Sequence, residues 1–545
     1  MWYSLVMAGR TGRTGEGKGD MHGFENGGGG TQARPRAFLP RLLAIALPAL
    51  LAACAQLPPR ADTPPEASLP AATEGLIAER TVPAEAAHPG QSGFRLVGDG
   101  AEAYALRAYS AQAATRSLDI QTYIWHADLT GLMLARQALQ AADRGVRVRI
   151  LADDLDARAK NDGFAALDAH PRIEVRLYNP MASRHGTLSK AGEFGTGFKR
   201  LNHRMHNKSW IADGRMALVG GRNLGNEYFA ASDGPNFVDL DLLLVGPVVG
   251  EVARNFDLFW NSPSNYPIAQ LSPGQDTPER LQALRGTLEQ AAADLHASDY
   301  AGVLREDPKV QQLLEGGTAL HWSPRWRFVS DDPMKATLPL EQRSEVVKVL
   351  LPEMQRAGKQ LLVISPYFVP GERGMAELVA IDRRGADVRV LTNSLAANDV
   401  AAVHGGYSRY RRPLLEQGVE VWELKPSGGP ARFSLKGSSG SSLHTKAMVI
   451  DDGVIFVGSY NLDPRSTSLN CEQGILVEHP ALAAGLAELF AQQTGPAHAW
   501  HVTVGEDGDL GWTDGTQSFT RDPEATASQR SLSWLMKVLP LESQL

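Results

Sequence analysis

Two stretches of the chain share one spacing: HNKSWIADGRMALVGGRN, residues 206–223, and HTKAMVIDDGVIFVGSYN, residues 444–461. Each stretch opens with His-x-Lys, continues to an aspartate and ends on an asparagine after two small residues. The apolar alternation around an Asp-Gly pair predicts a β-hairpin, in which side chains two positions apart share one face. The histidine and lysine of each copy are therefore expected to point into the same space.

A single His-x-Lys is typical of an ordinary half-exposed strand, because short motifs occur by chance. Five fixed letters at background frequency give on the order of 10⁻⁴ chance matches in a chain of this length. Two copies with identical spacing therefore indicate an internal duplication with a shared chemical purpose.

The predicted elements around the motifs are repeated as well, with an offset of about 240 residues. A series of alternating helices and strands begins near Phe94 and returns after residue 345. The corresponding positions are Tyr123 and Tyr367, Arg144-Gly145 and Arg384-Gly385, Pro180 and Pro426, and His206 and His444. Such alternation predicts an α/β fold, with a mixed sheet flanked by helices. We therefore predict two homologous α/β domains packed face to face, with one active site between them.

Composition limits the class of protein. The 545 residues can hold two domains, and 43% hydrophobic and 21% charged residues are close to a soluble globular average. The net charge of -7 and a pI near 6.1 disfavour a nucleic-acid binder, which usually needs a basic excess. The two cysteines, Cys54 and Cys471, do not make a disulfide framework.

The N-terminal stretch has the features of a signal peptide. Three arginines precede the apolar run Leu42 to Ala53, which is too short to cross a bilayer but fits a signal-peptide core. The run ends Leu-Ala-Ala-Cys54, which resembles a bacterial lipoprotein cleavage box, in which the cysteine becomes the lipidated first residue. An uncleaved anchor or a short buried helix is the alternative, and Met21 is an alternative start. The resemblance implies a periplasm-facing lipoprotein associated with the membrane of the cell envelope.

The predicted organisation follows the chain: residues 1–53 signal peptide, 54–90 Pro- and Ala-rich tether, 91–270 first domain, 271–345 connector, 346–530 second domain and 531–545 amphipathic tail. In the connector, Trp322, Trp326 and Phe328 fit either lipid contact or a satellite core. The tail fits either a bilayer interface or docking on its own domain.

The twin His-x-Lys-x4-Asp motifs resemble the signature of the phospholipase D superfamily. GSYNLDPRS, residues 458–466, is similar to the ending seen in bacterial cardiolipin synthases. Residues 118–154 and 391–411 are similar to the branch of those enzymes that can take phosphatidylethanolamine as donor. Gly221 departs from the family pattern, since many members have serine there, which puts a hydroxyl contact to phosphate from the first half in doubt.

The resemblance implies a set of site residues. The catalytic candidates of the two motifs are His206, Lys208, Asp213, His444, Lys446 and Asp451. The candidates for binding phosphate are Asn223, Asn461 and Ser459. Preorganised cations and amides would stabilise the charge that a phosphodiester concentrates in its transition state, so no metal and no cofactor is expected.

Two histidines suit a two-step displacement, because imidazole can serve as nucleophile, acid or base near neutral pH. The resemblance favours His206 as the nucleophile that forms a phosphohistidine, and His444 as general acid and then base; the reverse assignment stays open. An attacking imidazole needs an acceptor on its other nitrogen. Asp239 and Glu472 follow the motifs where the family places such carboxylates, with Asp241 as a competitor for the first.

Asp213 and Asp451 belong to the signature, but their position at a turn predicts that they organise the turn rather than touch substrate. Five aromatic residues near the motifs are candidates for closing the site against water: Tyr123, Trp125, Tyr367, Phe368 and Tyr460. Three further residues, His404, Tyr407 and Tyr410, are by analogy acceptor-side or head-group contacts, or simply one face of a helix.

The incoming hydroxyl decides the product of such an enzyme. The resemblance implies a phosphatidyltransferase at a membrane surface that forms cardiolipin from phosphatidylglycerol and a second phospholipid, such as phosphatidylethanolamine. The alternatives are a hydrolytic phospholipase D, a periplasmic nuclease, and a catalytically silent lipid-binding lipoprotein. Intact His, Lys and Asn in both motifs argue against silence, acidic charge argues against the nuclease, and a monomer is expected.

Overall fold

The computed structural model describes residues 57–539, except 62, 158–159, 185–192, 194–200, 315–318, 399 and 427–441. The signal peptide predicted at 1–53, Cys54 and the last six residues of the tail lie outside the described residues. No helix in the described part is both long and apolar enough to cross a membrane. The elements below belong to one compact unit, Arg60–Pro180 and His203–Leu545.

The first half of this unit contains ten strands and ten helices among its described residues. The strands are β1 (Ser92–Val97), β2 (Ser117–Thr122), β3 (Arg147–Asp153), β4 (Ile173–Tyr178), β5 (Ser209–Ala212), β6 (Met216–Gly220), β7 (Phe237–Val238), β8 (Asp241–Val245), β9 (Asn265–Pro267) and β10 (His321–Ser323). The helices are α1 (Leu76–Ala87), α2 (Gly100–Ala113), α3 (Leu129–Asp143), α4 (Asp154–Ala157), α5 (Asn161–Asp168), α6 (Pro247–Trp260), α7 (Ile268–Leu271), α8 (Pro278–Ala297), α9 (Asp299–Glu306) and α10 (Pro308–Leu314).

The second half repeats the pattern with eleven described strands and six described helices. The strands are β11 (Trp326–Ser330), β12 (Gln360–Ile364), β13 (Asp387–Asn393), β14 (Glu420–Leu424), β15 (Ser442–Leu443), β16 (Ala447–Ile450), β17 (Val454–Gly458), β18 (Gln473–Glu478), β19 (Ala499–Val504), β20 (Leu510–Thr513) and β21 (Ser518–Phe519). The helices are α11 (Glu345–Met354), α12 (Gly371–Arg383), α13 (Ala401–Glu416), α14 (Pro464–Ser468), α15 (Pro480–Gln493) and α16 (Ala527–Val538).

The strand order confirms the duplication. The first sheet runs β10-β1-β8-β6-β5-β2-β3-β4-β9, and the second runs β11-β18-β17-β16-β12-β13-β14-β19-β20-β21. In each sheet the three strands joined by helical crossovers are parallel, β2-β3-β4 and β12-β13-β14, and the other neighbours are antiparallel. In the spatial order of the sheets, the seven strands from β8 to β9 therefore match the seven strands from β18 to β19, one for one.

A shared apolar core joins the two halves. It contains side chains of both sheets, such as Leu242 of β8 and Ile364 of β12, together with α6 and α15. These two helices are equivalent, since α6 follows β8 and α15 follows β18, and each buries one apolar face, with Phe256 and Leu486 in the core. The predicted packing of two α/β domains face to face is confirmed.

The stretch predicted as a tether differs from expectation, because it is folded from Arg60 onward. The Ser68 hydroxyl donates to Asp257 over 2.8 Å and accepts from Arg149 over 2.9 Å. Further along, α1 buries Ile77 and Ala78. Burial of these apolar side chains, together with the hydrogen bonds, offsets the entropy lost on ordering a Pro- and Ala-rich segment.

The predicted connector is part of both sheets. β10 pairs with β1 at the edge of the first sheet, and β11 pairs with β18 at the edge of the second. Trp322 stacks on His88 with ring centroids 4.4 Å apart, and Trp326 and Phe328 pack against the shared core. Of the two readings of these aromatic residues, packing within the fold is the one that the structure supports.

Asp213 and Asp451 lie in the hairpin turns, with left-handed φ values of 53° and 51°. The Asp213 carboxylate accepts the backbone N–H groups of residues 115–117 over 2.8–3.1 Å. The Asp451 carboxylate accepts those of residues 358–360 over 2.8–3.3 Å. Each aspartate therefore ties its hairpin to the start of β2 or β12, at the end of the strand opposite the histidine. Their membership of the catalytic set is corrected to a folding role.

Two neighbouring aspartates test this role. Asp451→Ala should lower the free energy of unfolding by about 2 kcal/mol, because three backbone N–H groups exchange a charged acceptor for water and alanine is disfavoured at a φ of 51°. Asp452→Ala removes an exposed ion pair with Lys359 and an exposed hydrogen bond from Gln360, and should cost less than about 1 kcal/mol. Urea unfolding of both variants measures the difference, and equal losses would contradict the assigned role.

Candidate active site

The backbone around each histidine is held by the other half. His206 N–H donates to the carbonyl of Cys471 over 2.9 Å, and Cys471 N–H donates to the carbonyl of Arg204 over 2.9 Å. In the equivalent place, β15 pairs in parallel with β7, and His444 N–H donates to the carbonyl of Val238 over 2.8 Å. Each half therefore supplies a short strand that positions the histidine of the other.

The carboxylates cross between the halves in the same way. His206 Nδ1 lies 2.8 Å from Glu472 Oε2, and His444 Nδ1 lies 2.5 Å from Asp239 Oδ2. All four side chains are buried. The residues predicted to orient the histidines are therefore placed against them, and each carboxylate serves the motif of the half to which it does not belong.

The competing carboxylate, Asp241, has another task. It accepts from Arg107 Nη2 over 2.9 Å and lies 3.5 Å from Arg222 Nη1, and all three side chains are buried. The Arg222 guanidinium also donates to the backbone carbonyl of Asp239. Asp241 therefore belongs to an ion-pair network that supports the segment carrying Asp239.

Both imidazoles are neutral at pH 7. Burial lowers the pKa of His206 to about 4, with Glu472 opposing and the two lysines adding to the shift. Burial, followed by the charge of Lys446, lowers the pKa of His444 to about 3. Each histidine is affected by the lysines of both motifs, which places the two His-Lys pairs in one site.

The carboxylates are ionised beside these imidazoles. Burial would raise the pKa values of Glu472 and Asp239, but the paired histidine and the site lysines outweigh it and hold both values below the ordinary range. A neutral ring next to a carboxylate donates its Nδ1–H, which leaves the lone pair on Nε2. The crossed pairs therefore fix the tautomer that a nucleophile or a base requires.

The two lysines are held by their own motifs. Lys208 Nζ donates to the carbonyl of His206, and Lys446 Nζ donates to the carbonyl of His444. Burial lowers the pKa of Lys208 well below its usual value. Both amines thus lie beside the histidines, and an anionic ligand would raise the pKa of Lys208 again.

The asparagines of the motifs differ in their contacts. Asn223 Oδ1 accepts from Ile124 N–H over 3.2 Å, and its Nδ2 donates to Tyr228 Oη over 2.9 Å. The Oδ1 atom of Asn461 is buried and makes no hydrogen bond within the described residues. The unpaired Oδ1 atom of Asn461 can accept a hydrogen bond from a hydroxyl or ammonium group, but it cannot bind a phosphoryl oxygen, which is also an acceptor.

Ser459, a predicted phosphate-binding candidate, contacts a carboxylate in this structure. Its hydroxyl donates to Glu472 Oε2 over 2.5 Å, and Ser466 donates to Glu472 Oε1 over 2.8 Å. The equivalent position of the first half is Gly221, where a Cβ would lie 2.2 Å from Asp239 Oδ1. Ser459 is therefore a positioning residue for Glu472, and Gly221 leaves room for the shorter carboxylate.

Aromatic rings flank both histidines. Tyr123 meets His206 edge-on with ring centroids 5.2 Å apart, as the sequence predicted. Tyr228 and Phe237 contact His444 at 5.3 and 5.2 Å, and sequence reasoning missed both. Phe237 could have been found, since it lies two residues before Asp239 and alternation places the two on one side. Tyr228 ends a three-residue 3-10 helix, which is too short to carry a periodic signal.

Four aromatic candidates belong to packing instead. Trp125 donates its Nε1–H to the carbonyl of Gly131 and packs edge-on against Phe164. Phe368 and Tyr460 are buried in the outer core of the second half, and Tyr367 packs against that core. Each of these residues follows the end of a strand, and this position made them candidates for the site.

His404, Tyr407 and Tyr410 are buried along α13. Tyr407 Oη donates to Glu423 over 3.0 Å, and His404 Nδ1 lies 3.2 Å from Ser533 Oγ of α16. The expected acceptor-side or head-group contacts are therefore wrong, and the helix-face alternative is right.

Two groups of described residues have ligand atoms close enough to share a metal ion: His126, Asp128 and Glu227, and His404, Glu423 and Asp522. In the first group Asp128 caps α3, and His126 pairs with Glu227 at 2.9 Å. In the second, Glu423 accepts from Tyr407, Arg411 and Trp512. Neither group includes a motif residue, and both have structural partners.

Two α/β repeats that each contribute one His-Lys motif to a single site define an enzyme of the phospholipase D type. The chain matches the family model "Cardiolipin synthase, PLD-like domain" over residues 110–260 and 350–494. It is 39% identical over 477 residues to cardiolipin synthase C of Escherichia coli (strain K12), covering 86% of this chain and 99% of the relative. The chain belongs to this phospholipase D-like family, in the cardiolipin synthase branch.

Further likenesses agree with the assignment. An uncharacterised protein of Helicobacter pylori (strain ATCC 700392 / 26695) is 30% identical over 422 residues, which cover 76% of this chain and 82% of the relative. The crystal structure of phosphatidylserine synthase from Haemophilus influenzae superimposes with a TM-score of 0.53 at 14% identity, covering 82% of this chain and 92% of that chain. At that identity the likeness concerns the fold.

The buried neutral histidines make stability depend on pH. An unfolded histidine binds a proton near pH 6.5, whereas folded His444 does so at about 3, so folding stability is lost as pH falls below about 6.5. The slope is about 1.4 kcal/mol per pH unit for each such histidine. His444→Gln should reduce the slope between pH 6.5 and 5, measured by urea unfolding.

The control is His296→Gln, at an exposed histidine on α8. It should leave the slope as in the parent chain. A His444→Gln slope equal to the parent's would contradict the buried neutral state.

Proposed function

We propose that the protein transfers a phosphatidyl group from one phospholipid to a hydroxyl of another, forming cardiolipin from phosphatidylglycerol and a second phospholipid such as phosphatidylethanolamine. The observation that carries the proposal is the pair of crossed imidazole–carboxylate contacts, which holds two histidines in a form able to attack or accept a proton. The relationship to cardiolipin synthase C supports the choice of lipid.

In the first step, His206 Nε2 attacks phosphorus, and the bond from phosphorus to the leaving alcohol breaks. Glu472 stabilises the positive charge that develops on the His206 ring. His444, protonated when the anionic phosphodiester is bound, gives its proton to the leaving alkoxide. The products of this step are a phosphohistidine and a free alcohol.

We assign the nucleophile to His206 because its carboxylate partner is the more firmly held. Two serine hydroxyls, from Ser459 and Ser466, fix Glu472, and so fix the direction of Nε2. Asp239 accepts one backbone N–H, that of Leu240, beside its contact with His444. A ring that must form a covalent bond needs the narrower range of orientations.

In the second step, His444 takes the proton of an incoming lipid hydroxyl, whose oxygen attacks phosphorus and releases His206. Lys208, Lys446 and the Asn461 amide stabilise the charge on the phosphoryl oxygens in both steps. Water would give phosphatidic acid instead. Tyr123, Tyr228 and Phe237 shield the histidines, which favours a lipid hydroxyl over water.

The proposal extends to location. The sequence Leu-Ala-Ala-Cys54 supports lipidation of the cysteine and a periplasm-facing lipoprotein. Arg60 is the first residue of the folded unit, so only a few residues would separate the lipid anchor from the domain. Such an anchor would keep the site close to its lipid substrates.

The transferase reaction is tested with two labels. Purified protein is incubated with phosphatidylglycerol and phosphatidylethanolamine, each carrying a different isotope, and the products are separated by mass spectrometry. We expect cardiolipin that carries both labels as the main product, with phosphatidic acid as a minor one. Phosphatidic acid alone, in excess phosphatidylglycerol, would show a hydrolytic phospholipase D.

The assignment of the histidines is tested with a phosphodiester whose leaving group needs no acid, such as a p-nitrophenyl ester. His444→Asn should release one equivalent of nitrophenol and then stop, with an acid-labile phosphoryl group on His206, because the second step has lost its base. His206→Asn should give no burst. Steady-state turnover of both variants should fall at least 100-fold.

The matched control is Asp452→Ala, which lies outside the site and should keep the parent turnover. A burst with His206→Asn, and none with His444→Asn, would reverse the roles. Parent-like turnover by either histidine variant would remove the mechanism altogether.

A further inference from the structure

The C-terminal helix α16 carries an exposed apolar edge. Trp534, Leu535 and Val538 are 65%, 43% and 55% exposed, and their spacing places them on neighbouring positions of one helix face. Nine large apolar side chains are exposed in the described part of the chain, and three of them lie within residues 534–538. A clustered edge of this kind marks an interaction surface more often than scattered exposure does.

The opposite face of α16 is fixed to the domain. Ser533 and Met536 are buried against α13. Gly405 of α13 permits the close approach, since a Cβ there would lie 2.6 Å from the carbonyl oxygen of Ser533. The helix cannot rotate to bury Trp534 without losing this contact, so the apolar edge stays directed outward.

Cations gather at the C-terminal end of the helix. Arg409 donates to the carbonyls of Lys537 and Leu539 over 2.7 Å in each case, and Arg412 lies one turn further along α13. Lys537 and Arg412 are exposed, and the nearest paired carboxylate of Arg412 is Asp509, at 3.9 Å. Burial and the surrounding arginines lower the pKa of Lys537, so the positive charges are close enough to repel one another.

This charge opposes that of the whole chain. The net charge is -7, so a group of arginines and a lysine at one helix end is not the average surface of the protein. Like charges held together gain stability from an anionic partner. The apolar edge and the cations meet at Lys537 and Val538, and together they form one surface, here named the α16 face.

The first turn of α16, at the opposite end of the helix from the α16 face, contacts a segment next to the active site. Gln529 donates to the carbonyl of Leu395 over 3.5 Å. Two residues before Leu395, the Asn393 side chain accepts from Leu443 N–H over 2.9 Å, directly before His444. The helix that carries the face is therefore attached to the same half as this histidine.

We propose that the α16 face rests on a bilayer that contains anionic phospholipid. Trp534, Leu535 and Val538 enter the boundary between the head groups and the acyl chains. Arg409, Arg412 and Lys537 lie at the lipid phosphates. A helix with aromatic and aliphatic residues on one face and flanking cations has the composition of segments that lie in the interface plane. The inference deepens the proposed function, since it rests on a substrate that lies in the bilayer. A lipid anchor at Cys54 would hold the chain near the membrane, and the α16 face would orient it.

The test places an environment-sensitive nitrobenzoxadiazole probe on the full-length protein at Val538→Cys, and at Leu340→Cys and Leu258→Cys as controls. All three chains also carry Cys54→Ala, so that the introduced cysteine takes the probe; native Cys471 is buried. The three native side chains are similarly exposed, at 55%, 66% and 53%. The protein is added to preformed vesicles of phosphatidylglycerol with phosphatidylethanolamine, or of phosphatidylcholine alone. Lipids with a nitroxide near the head group serve as quenchers.

With the anionic vesicles, the probe at Val538→Cys should shift to shorter wavelength and be quenched by the nitroxide lipids, whereas the two control probes stay as in water. Equal behaviour of all three positions would overturn the proposal. A shift that appears without vesicles and grows with protein concentration would point to a second copy of the chain as the occupant, and would overturn it as well.

The charges are tested by Arg412→Gln and Lys537→Gln in the probe-bearing chain. Each should weaken the apparent affinity for phosphatidylglycerol vesicles about fivefold, since a basic residue at an anionic surface contributes on that scale. Unchanged affinity would remove the anionic part of the proposal.

Turnover separates this inference from the proposed function. Trp534→Glu combined with Val538→Glu should reduce turnover of vesicle lipid at least tenfold and leave turnover of dispersed short-chain phosphatidylglycerol within twofold of the parent. Equal loss on both substrates would contradict membrane docking. If the parent chain turns over neither lipid, the proposed function fails, and the probe measurement still decides whether the α16 face meets the bilayer.

Discussion

The contact between each imidazole and the carboxylate of the opposite half is the constraint on which the rest of the structure depends. Four ionisable side chains and two lysines are buried at this point, and burial of charge is costly unless the charges are paired. The pairs form only when the two sheets meet across the shared core. An isolated bridge between Met205 and Cys471, and the pairing of β7 with β15, then align the backbone at each pair.

The two halves reach the same contact by different means. In the second half a longer carboxylate, Glu472, is held by the hydroxyls of Ser459 and Ser466. In the first half the shorter Asp239 fills the space that a serine would occupy, and Gly221 provides that space. Gly221, the residue that departs from the family pattern, thus fits the short side chain of Asp239. It gives chemically distinct surroundings to two histidines that otherwise share one motif.

The repeated motif was enough to predict the duplicated α/β fold and the meeting of the two His-Lys pairs, because spacing and hydrophobic alternation act locally. It could not show that Glu472 serves His206 and Asp239 serves His444, since partners across halves leave no trace in local spacing. The tether was misjudged at Ser68 because composition does not reveal a hydrogen bond to a helix far along the chain. The predicted ligand contact of His404 was wrong, because the sequence of a helix does not show whether a polar side chain faces a ligand or another helix.

The passage from β10 to β11 has a mechanical consequence. The chain leaves the edge of the first sheet at Ser323 and joins the edge of the second at Trp326, and three such steps span at most about 11 Å. The Ser323 hydroxyl also donates to the carbonyl of Glu478 in the second sheet. The two halves are therefore pinned along one seam and cannot swing apart like the jaws of a hinged clamp. Together with the shared apolar core, this seam ties the halves at two places, so any motion that separated them would have to break both sets of contacts.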